Sequence, residues 1–352
     1  MGEHGFRNMV LGVALAIMVG WLLAIGRPII LPIVASLIIA YIVLGLADLI
    51  ARAPVVGPRL PSPLRHGLAI LAMFGALGGL TLMLVANIGQ IVAIAPQYQS
   101  QLLAVIQKAA VAIGLETEPS WDTLRGEIFR QINLQRTLLA SAASVSAILG
   151  TFFVVLIYAG FLLSERGAFA RKIGRLSDDP AKVARIRQLI EDVNARIGAY
   201  LVMKTLINLL LGLASYAILR FFDIQFAGFW AILIGLFNYI PYLGTFLGMI
   251  PPVLMAALQF GAPGPVAVVA LALAAAQTVM GSFIDPLLTG RSVNLSPFVI
   301  LASLVFWSSI WGVSGAILAV PVTAILVIVL SAFPGTRPIA VLLSLDGDVD
   351  AR

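Results

Sequence analysis

Residues 226–260 read FAGFWAILIGLFNYIPYLGTFLGMIPPVLMAALQF: two apolar segments, 226–240 and 243–260, broken by Asn238-Tyr239-Ile240-Pro241-Tyr242-Leu243-Gly244. Each piece falls short of the roughly twenty residues with which a helix crosses hydrocarbon. A second interrupted pair, 297–311 and 313–333, divides around Trp311-Gly312-Val313-Ser314-Gly315. Such pairs can cross the bilayer twice or dip in and return as re-entrant hairpins, and both routes bring the chain back to the side it left. Backbone broken at membrane depth survives only where protein or a watery cavity satisfies the freed N–H and C=O groups. Transporters use such breaks for binding.

The rest of the chain supplies the membrane. It has 352 residues, 61% of them hydrophobic and 11% charged, with a mean hydropathy of +1.04, more apolar surface than a soluble core can hide. The runs are continuous and lack period-two alternation, which rules out a barrel. The predicted fold is therefore all-α: a polytopic helical integral membrane protein with broken or re-entrant helix pairs in its C-terminal half and a small extracytoplasmic helical insert. Single runs are read at Met9–Ile25, Ile29–Ala47, Gly67–Ala95, Thr137–Leu163, Ala199–Leu219 and Val266–Ile284. With the two pairs they give between six and ten crossings. Pro28 and the second run argue that the first is a span and not a signal peptide. The expected organisation is 1–95, three spans; 96–136, the insert, an extracytoplasmic amphipathic helical segment; 137–163, the fourth span; 164–198, cytoplasmic amphipathic helices; 199–335, the C-terminal bundle; and 336–352, a cytoplasmic tail.

Charge sets the orientation. Residues 164–204 carry Arg166, Arg171, Lys172, Arg175, Lys182, Arg185, Arg187, Arg196 and Lys204 against five acids, the strongest positive-inside signal in the chain. The loop at 48–66, with Arg52, Arg59, Arg65 and four prolines (Pro54, Pro58, Pro61, Pro63), is basic too and reads as extended. Placing both in the cytoplasm puts both termini there and the insert outside. The net charge of +6 thus belongs to loops facing anionic membrane lipids. The insert mixes both signs and offers nucleic acid no basic patch. Asp179-Pro180 makes a helix start, followed by the apolar stripe Val183, Ile186, Leu189, Ile190, Val193 and Ile197, expected to rest on the inner leaflet or the bundle.

With no cysteine and only His4 and His66, the chain has no disulfide or thiolate chemistry and little with which to hold a metal, and no cofactor is expected. His-Glu-x-x-His, Gly-x-Ser-x-Gly and Walker motifs are absent, which argues against an enzyme and against coupling to ATP. The candidate pathway residues are polar groups and breaks inside apolar runs: Lys204 and Asn208, four apart on one helix face; Asn238, Pro241, Tyr242 and Gly244 in the first break; Gln277; Asp285 with Pro286; and Gly312 and Gly315 in the second break. A charge near the bilayer centre costs at least ~2.5 kcal/mol and usually has a reason. Each also has a plainer reading. Lys204 can snorkel, Asp285 can cap a helix end or face water, and the breaks can serve packing alone. The small-residue pairs Gly75 with Gly79 and Gly244 with Gly248 permit close helix contact.

From about Ala199 to Pro334 the break motifs, together with Ile250-Pro251, Asp285-Pro286, Gly290, Val293, Leu295, Pro297 and Ala319-Val320-Pro321, resemble the AI-2E family of autoinducer-2 exporters. The resemblance implies a bacterial inner-membrane protein, usually counted as eight-spanning, with a helical insert after the third span. It also implies homo-oligomeric assembly, a pentamer being the expected count. Members are linked to export of the furanone-type signal autoinducer-2, and others resemble sodium or potassium/proton antiporters. Lys204 and Asp285 depart from the commoner polar pattern. The expected function is a secondary exporter of a small polar solute, gated at the Pro241 and Gly312 breaks. One alternative is a cation/proton antiporter, for which Asp285→Asn abolishes transport while Lys204→Met is tolerated. The other is a non-transporting membrane scaffold. The partners are thus a small-molecule or ion substrate, lipid and further copies of the chain.

Overall fold

The computed structural model describes residues 3–52, 59–76, 78–83, 86–87, 90, 134–175, 177–289 and 293–348. In chain order its helices are α1 (Glu3–Ile25), α2 (Arg27–Arg52), α3 (Ser62–Met83), α4 (Leu134–Ile173), α5 (Pro180–Phe221), α6 (Ala227–Phe237), α7 (Leu243–Phe260), α8 (Pro263–Val279), a π-helical turn (Met280–Ile284), α9 (Asp285–Thr289), α10 (Pro297–Trp311), α11 (Val313–Ser331) and α12 (Arg337–Leu343). Among the described residues the only β contact is a single bridge between Leu295 and Ser344. Seven stretches are long and apolar enough to cross a membrane: α2, α3, Gly150–Phe169 within α4, α5, α7, Pro263–Leu288 and α11. The shorter Val10–Ile25, α6 and α10 are apolar as well. Large apolar side chains such as Leu15 and Trp21 on α1, Phe161 on α4, Leu213 on α5 and Val305 on α10 point outward, a pattern that only lipid can solvate. The chain is an all-α polytopic membrane protein. The expected insert, up to Asn133, and the loop residues Pro54 and Pro58 lie outside the described residues.

Three boundaries differ from the sequence expectation. Helix α3 begins at Ser62, inside the stretch read as extended, because Pro63 falls in its first turn, where a missing N–H costs nothing. The amphipathic segment after Pro180 and the run 199–219 form one helix of 42 residues, about 63 Å long. Composition changes near Gly198, but no proline breaks the backbone between Ala181 and Phe221, so the helix continues. Finally, the run expected to stop at Asp285-Pro286 passes through the π turn into α9. Proline has no N–H and its ring collides with the carbonyl four residues back. The wider turn, in which the Asp285 N–H bonds to Met280 O, makes room for it.

The chain divides into two compact units, residues 1–70, 152–203 and 291–352 in one, and residues 71–151 and 204–290 in the other. In the first, the Tyr41 hydroxyl on α2 donates to Asn194 Oδ1 on α5 at 2.6 Å. One turn further along α2, Gly45 lies so close to Val202 that any side chain there would overlap it. Helices α10 and α11 form a hairpin. Ser296 caps its start, its Oγ accepting from Val299 N at 3.3 Å, and Pro297 occupies the first turn. Inside it the Trp307 indole N–H donates to Thr323 Oγ1 at 2.9 Å, and at its tip the Trp311 indole donates to Leu23 O at 3.1 Å. At the other end of the hairpin the Arg185 guanidinium donates to Ala332 O just past α11, a cation at a helix C-terminus. Trp307→Phe keeps most of the ring and removes the donor to a buried hydroxyl. It should cost about 1 kcal/mol, a fall in the thermal unfolding midpoint of about 2–4 °C in detergent.

In the second unit an apolar core gathers Leu211 and Leu219 from α5, Ile234 from α6, Met255 and Ala256 from α7, and Val269 and Leu273 from α8. The turn between α5 and α6 carries two non-glycine residues with left-handed backbone, Asp223 (φ 55°) and Phe226 (φ 59°). Gln259 holds that turn. Its Nε2 donates to Asp223 O at 2.7 Å and its Oε1 accepts from Gln225 N at 3.1 Å.

Candidate functional site

Each break turns the chain by glycine packing. In the second unit Ile240 N bonds to Phe237 O, Leu243 N to Pro241 O at 2.6 Å and Gly244 N to Ile240 O, while the exposed Tyr242 takes φ 61°. Gly244 rests directly on the Phe237 carbonyl, where a methyl group would overlap backbone, and one turn on Gly248 seats against Ile234. The pair Gly244 and Gly248 is thus used inside the chain, closing α6 on α7. Gly75 and Gly79 meet only open space among the described residues. In the first unit Gly312 adopts φ 64°, ψ −144°, and Gly315 sits on the Trp307 carbonyl just as Gly244 sits on that of Phe237.

Beside the first break, three polar contacts line one side of α5. Lys204 Nζ donates to Asp285 Oδ2 at 2.8 Å, the two side chains being 11% and 25% exposed. Thr205 Oγ1 shares a hydrogen bond with the Tyr239 hydroxyl at 2.8 Å, and that hydroxyl also lies beside Asn208. Asn238 Nδ2 donates to Asn208 Oδ1 at 2.8 Å. The approach is close because Gly235 on α6 lies against the Asn208 carbonyl and the Gly212 Cα. With only a hydrogen at this crossing, the two asparagines one turn away can meet directly.

The structure therefore joins Lys204 to Asp285 and Asn208 to Asn238, which sequence spacing alone could not do. Pro241, Tyr242 and Gly244 shape the break that presents Asn238, and Pro286 follows Asp285 in the first turn of α9. Gln277 is buried on α8, and its Nε2 has no hydrogen-bond partner among the described residues. The same holds for Asn208 Nδ2 and for Ser215 Oγ on α5, the latter a residue the sequence reading passed over. A buried group left unsatisfied costs about 1–3 kcal/mol, so such atoms call for an explanation. Gly312 and Gly315 belong to the other unit. Thr205 and Tyr239 also escaped the sequence reading. Threonine is unremarked on an apolar helix, and Tyr239 read as part of a turn motif.

Chemically the layer holds one cation neutralised by one anion, two amides, a phenol and a threonine hydroxyl, set beside an apolar core. It can exchange hydrogen bonds with a polar solute, and it has no nucleophile or acid–base dyad of the kind that breaks covalent bonds. The comparisons agree with a transporter and not an enzyme. The profile of the family described as AI-2E family transporter matches residues 11–335. The AI-2 transport protein TqsA of Escherichia coli is 29% identical over 344 residues, 95% of this chain and 96% of that protein. A presumptive transport protein of Haemophilus influenzae is 29% identical over 353 residues, 97% of this chain and 96% of its own length. A further presumptive transport protein, YhhT of Escherichia coli, is 26% identical over 287 residues, 80% of this chain and 79% of its own. Its interrupted apolar helices, its polar layer and a family match spanning nearly its whole length lead to one conclusion: the chain belongs to the AI-2E family of transporters.

Proposed function

We propose that the protein is a secondary exporter of a small polar solute in the bacterial inner membrane, with both termini in the cytoplasm and several copies assembled together, five being the expected number. The observation that carries this reading is the polar layer of Lys204–Asp285, Thr205–Tyr239 and Asn208–Asn238 beside the apolar core of its unit. Buried polar networks are costly to build, and in membrane proteins they mark solute pathways. The name of the relative TqsA supports an autoinducer-2-like signal or a related metabolite as the cargo. The breaks at Pro241 and Gly312 would act as the gate. Short, kinked backbone is where a helix can change direction without unwinding its whole length.

The competing reading is a monovalent cation/proton antiporter centred on Asp285. The geometry weighs against it, because the carboxylate is already matched by the Lys204 ammonium, and a bound cation would have to displace that partner. Purified protein in liposomes loaded with small hydroxylated metabolites or with sodium or potassium, with and without a pH gradient, separates the readings. Metabolite release indifferent to cation identity is the expected result. Gradient-driven cation movement without metabolite release would replace the exporter by the antiporter, and no flux of any kind would leave a membrane scaffold.

A further inference from the structure

Two ties fix how α5 and the α8–α9 stretch run past each other within the second unit. Lys204 meets Asp285 at one end, and at the other the turn after Phe221 is held by Gln259, just before α8 begins. Residues 204–221 and 285–263 therefore lie antiparallel, with Leu211, Leu219, Val269 and Leu273 packed in one cluster between the ties.

On α5 the residues Lys204, Asn208, Leu211 and Ser215 recur at spacings of four, three and four and share one face. On the partner helix Gln277 and Asp285 are eight residues apart, which in a plain α-helix would set them about 80° from each other around the axis. The π turn between them holds one extra residue per turn and brings the two onto one face. Ser215 and Gln277 thus look into the seam that the ion pair closes at one end, from opposite walls, roughly 16 Å and 10 Å along from it. They are 1% and 8% exposed, and Ser215 Oγ and Gln277 Nε2 find no partner among the described residues.

We infer that Ser215 and Gln277 form a buried binding site for an uncharged solute carrying an acceptor oxygen, a carbonyl, ether or hydroxyl, with its apolar edge against Leu211 and Leu273. The amide N–H of Gln277 calls for an acceptor and repels a bare cation. The Ser215 hydroxyl completes a second hydrogen bond in either sense. Among the described residues of these two stretches the one further charge is Arg220, paired with Asp223 at the Gln259 end, so an ionic solute gains nothing between the ties. This site rests on the transporter reading and extends it from the Lys204 layer toward the Gln259 end of the unit.

Groups kept for binding and left unsatisfied otherwise weaken the fold, and this gives the test a readout separate from flux. Ser215→Ala and Gln277→Met would be made in the full chain, with dihydroxyacetone, glycerol and γ-butyrolactone as probes. Each variant should melt about 2–4 °C above wild type in detergent. Each should also lose, by about tenfold in probe concentration, the upward shift of the melting midpoint that the best probe gives wild type, and its release of that probe from liposomes should fall similarly. Variants that melt lower than wild type would mean that both polar atoms are satisfied within the fold, overturning the inference. A raised midpoint with unchanged probe shift and flux would mean the seam holds water only, and no shift of wild type by any of the three probes would overturn it as well. A wild-type protein whose midpoint responds but which moves nothing would sink the transporter reading and leave the binding site standing.

Discussion

Asp285→Asn will lower stability by roughly 3 kcal/mol and reduce solute flux more than tenfold, and Lys204→Met will do nearly the same. The two groups are one unit at 2.8 Å, and removing either deprives the other charge of this counterion in a poor solvent. The sequence expectation that one substitution would be harmful and the other tolerated, according to mechanism, therefore does not discriminate. The informative variants keep the charges balanced. The double replacement Lys204→Met with Asp285→Leu should regain most of the lost stability, because a buried pair can be exchanged for apolar groups at little cost. Its flux should stay low if the pair takes part in transport. Thermal midpoints and flux measured on the same preparations check both halves, and full flux in the double variant would reduce the pair to a structural pin.

Gly244→Ala and Gly315→Ala should each cost about 3 kcal/mol or more, and the folded protein recovered from membranes should fall accordingly. In both places the added methyl would overlap a main-chain carbonyl, that of Phe237 or that of Trp307. A side chain can rotate away from an overlap, but a helix backbone has to move as a body, which makes these substitutions more damaging than ordinary overpacking. Gly160→Ala on α4 is the control. Its position opens onto empty space, so the substitution should gain about 0.5–1 kcal/mol from helix propensity alone. A size-exclusion profile and melting curve for each variant decide the matter, and a well-folded Gly244→Ala protein would mean that the α6–α7 hairpin opens readily.

Much of the architecture was legible because breaks in a hydrophobic run are written in a few residues. Pro241 with Gly244, and Gly312 with Gly315, can do little else in an apolar stretch than turn the chain, and the helices end within a few residues of where those residues require. Helix α5 hides its length for a related reason. Its charge pattern changes near Lys204, but that change of solvent marks no change of structure, because backbone hydrogen bonding ignores composition unless proline interrupts it. The site was legible only as a roster. Lys204, Asn208, Asn238 and Asp285 stand out as polar residues in apolar surroundings, but the partnership of Lys204 with Asp285 spans 81 positions, and spacing along one helix says nothing about a neighbouring one. Thr205 and Tyr239 stayed hidden because their hydroxyls matter only once α5 and the break are brought together.

The π turn at Met280–Ile284 has a consequence for how this helix can change over generations. Its wide pitch absorbs one surplus residue and so keeps Asp285 turned toward Lys204. Loss of one residue would let the coil relax to ordinary pitch with the carboxylate within roughly 20° of its present direction, whereas the same residues rewound at ordinary pitch would swing it by roughly 90°. The bond between α5 and α9 is thus encoded in the pitch of the coil as well as in the kinds of its residues. A lineage could shed the surplus residue and keep the bond, or keep every residue and lose the bond if the turn tightened.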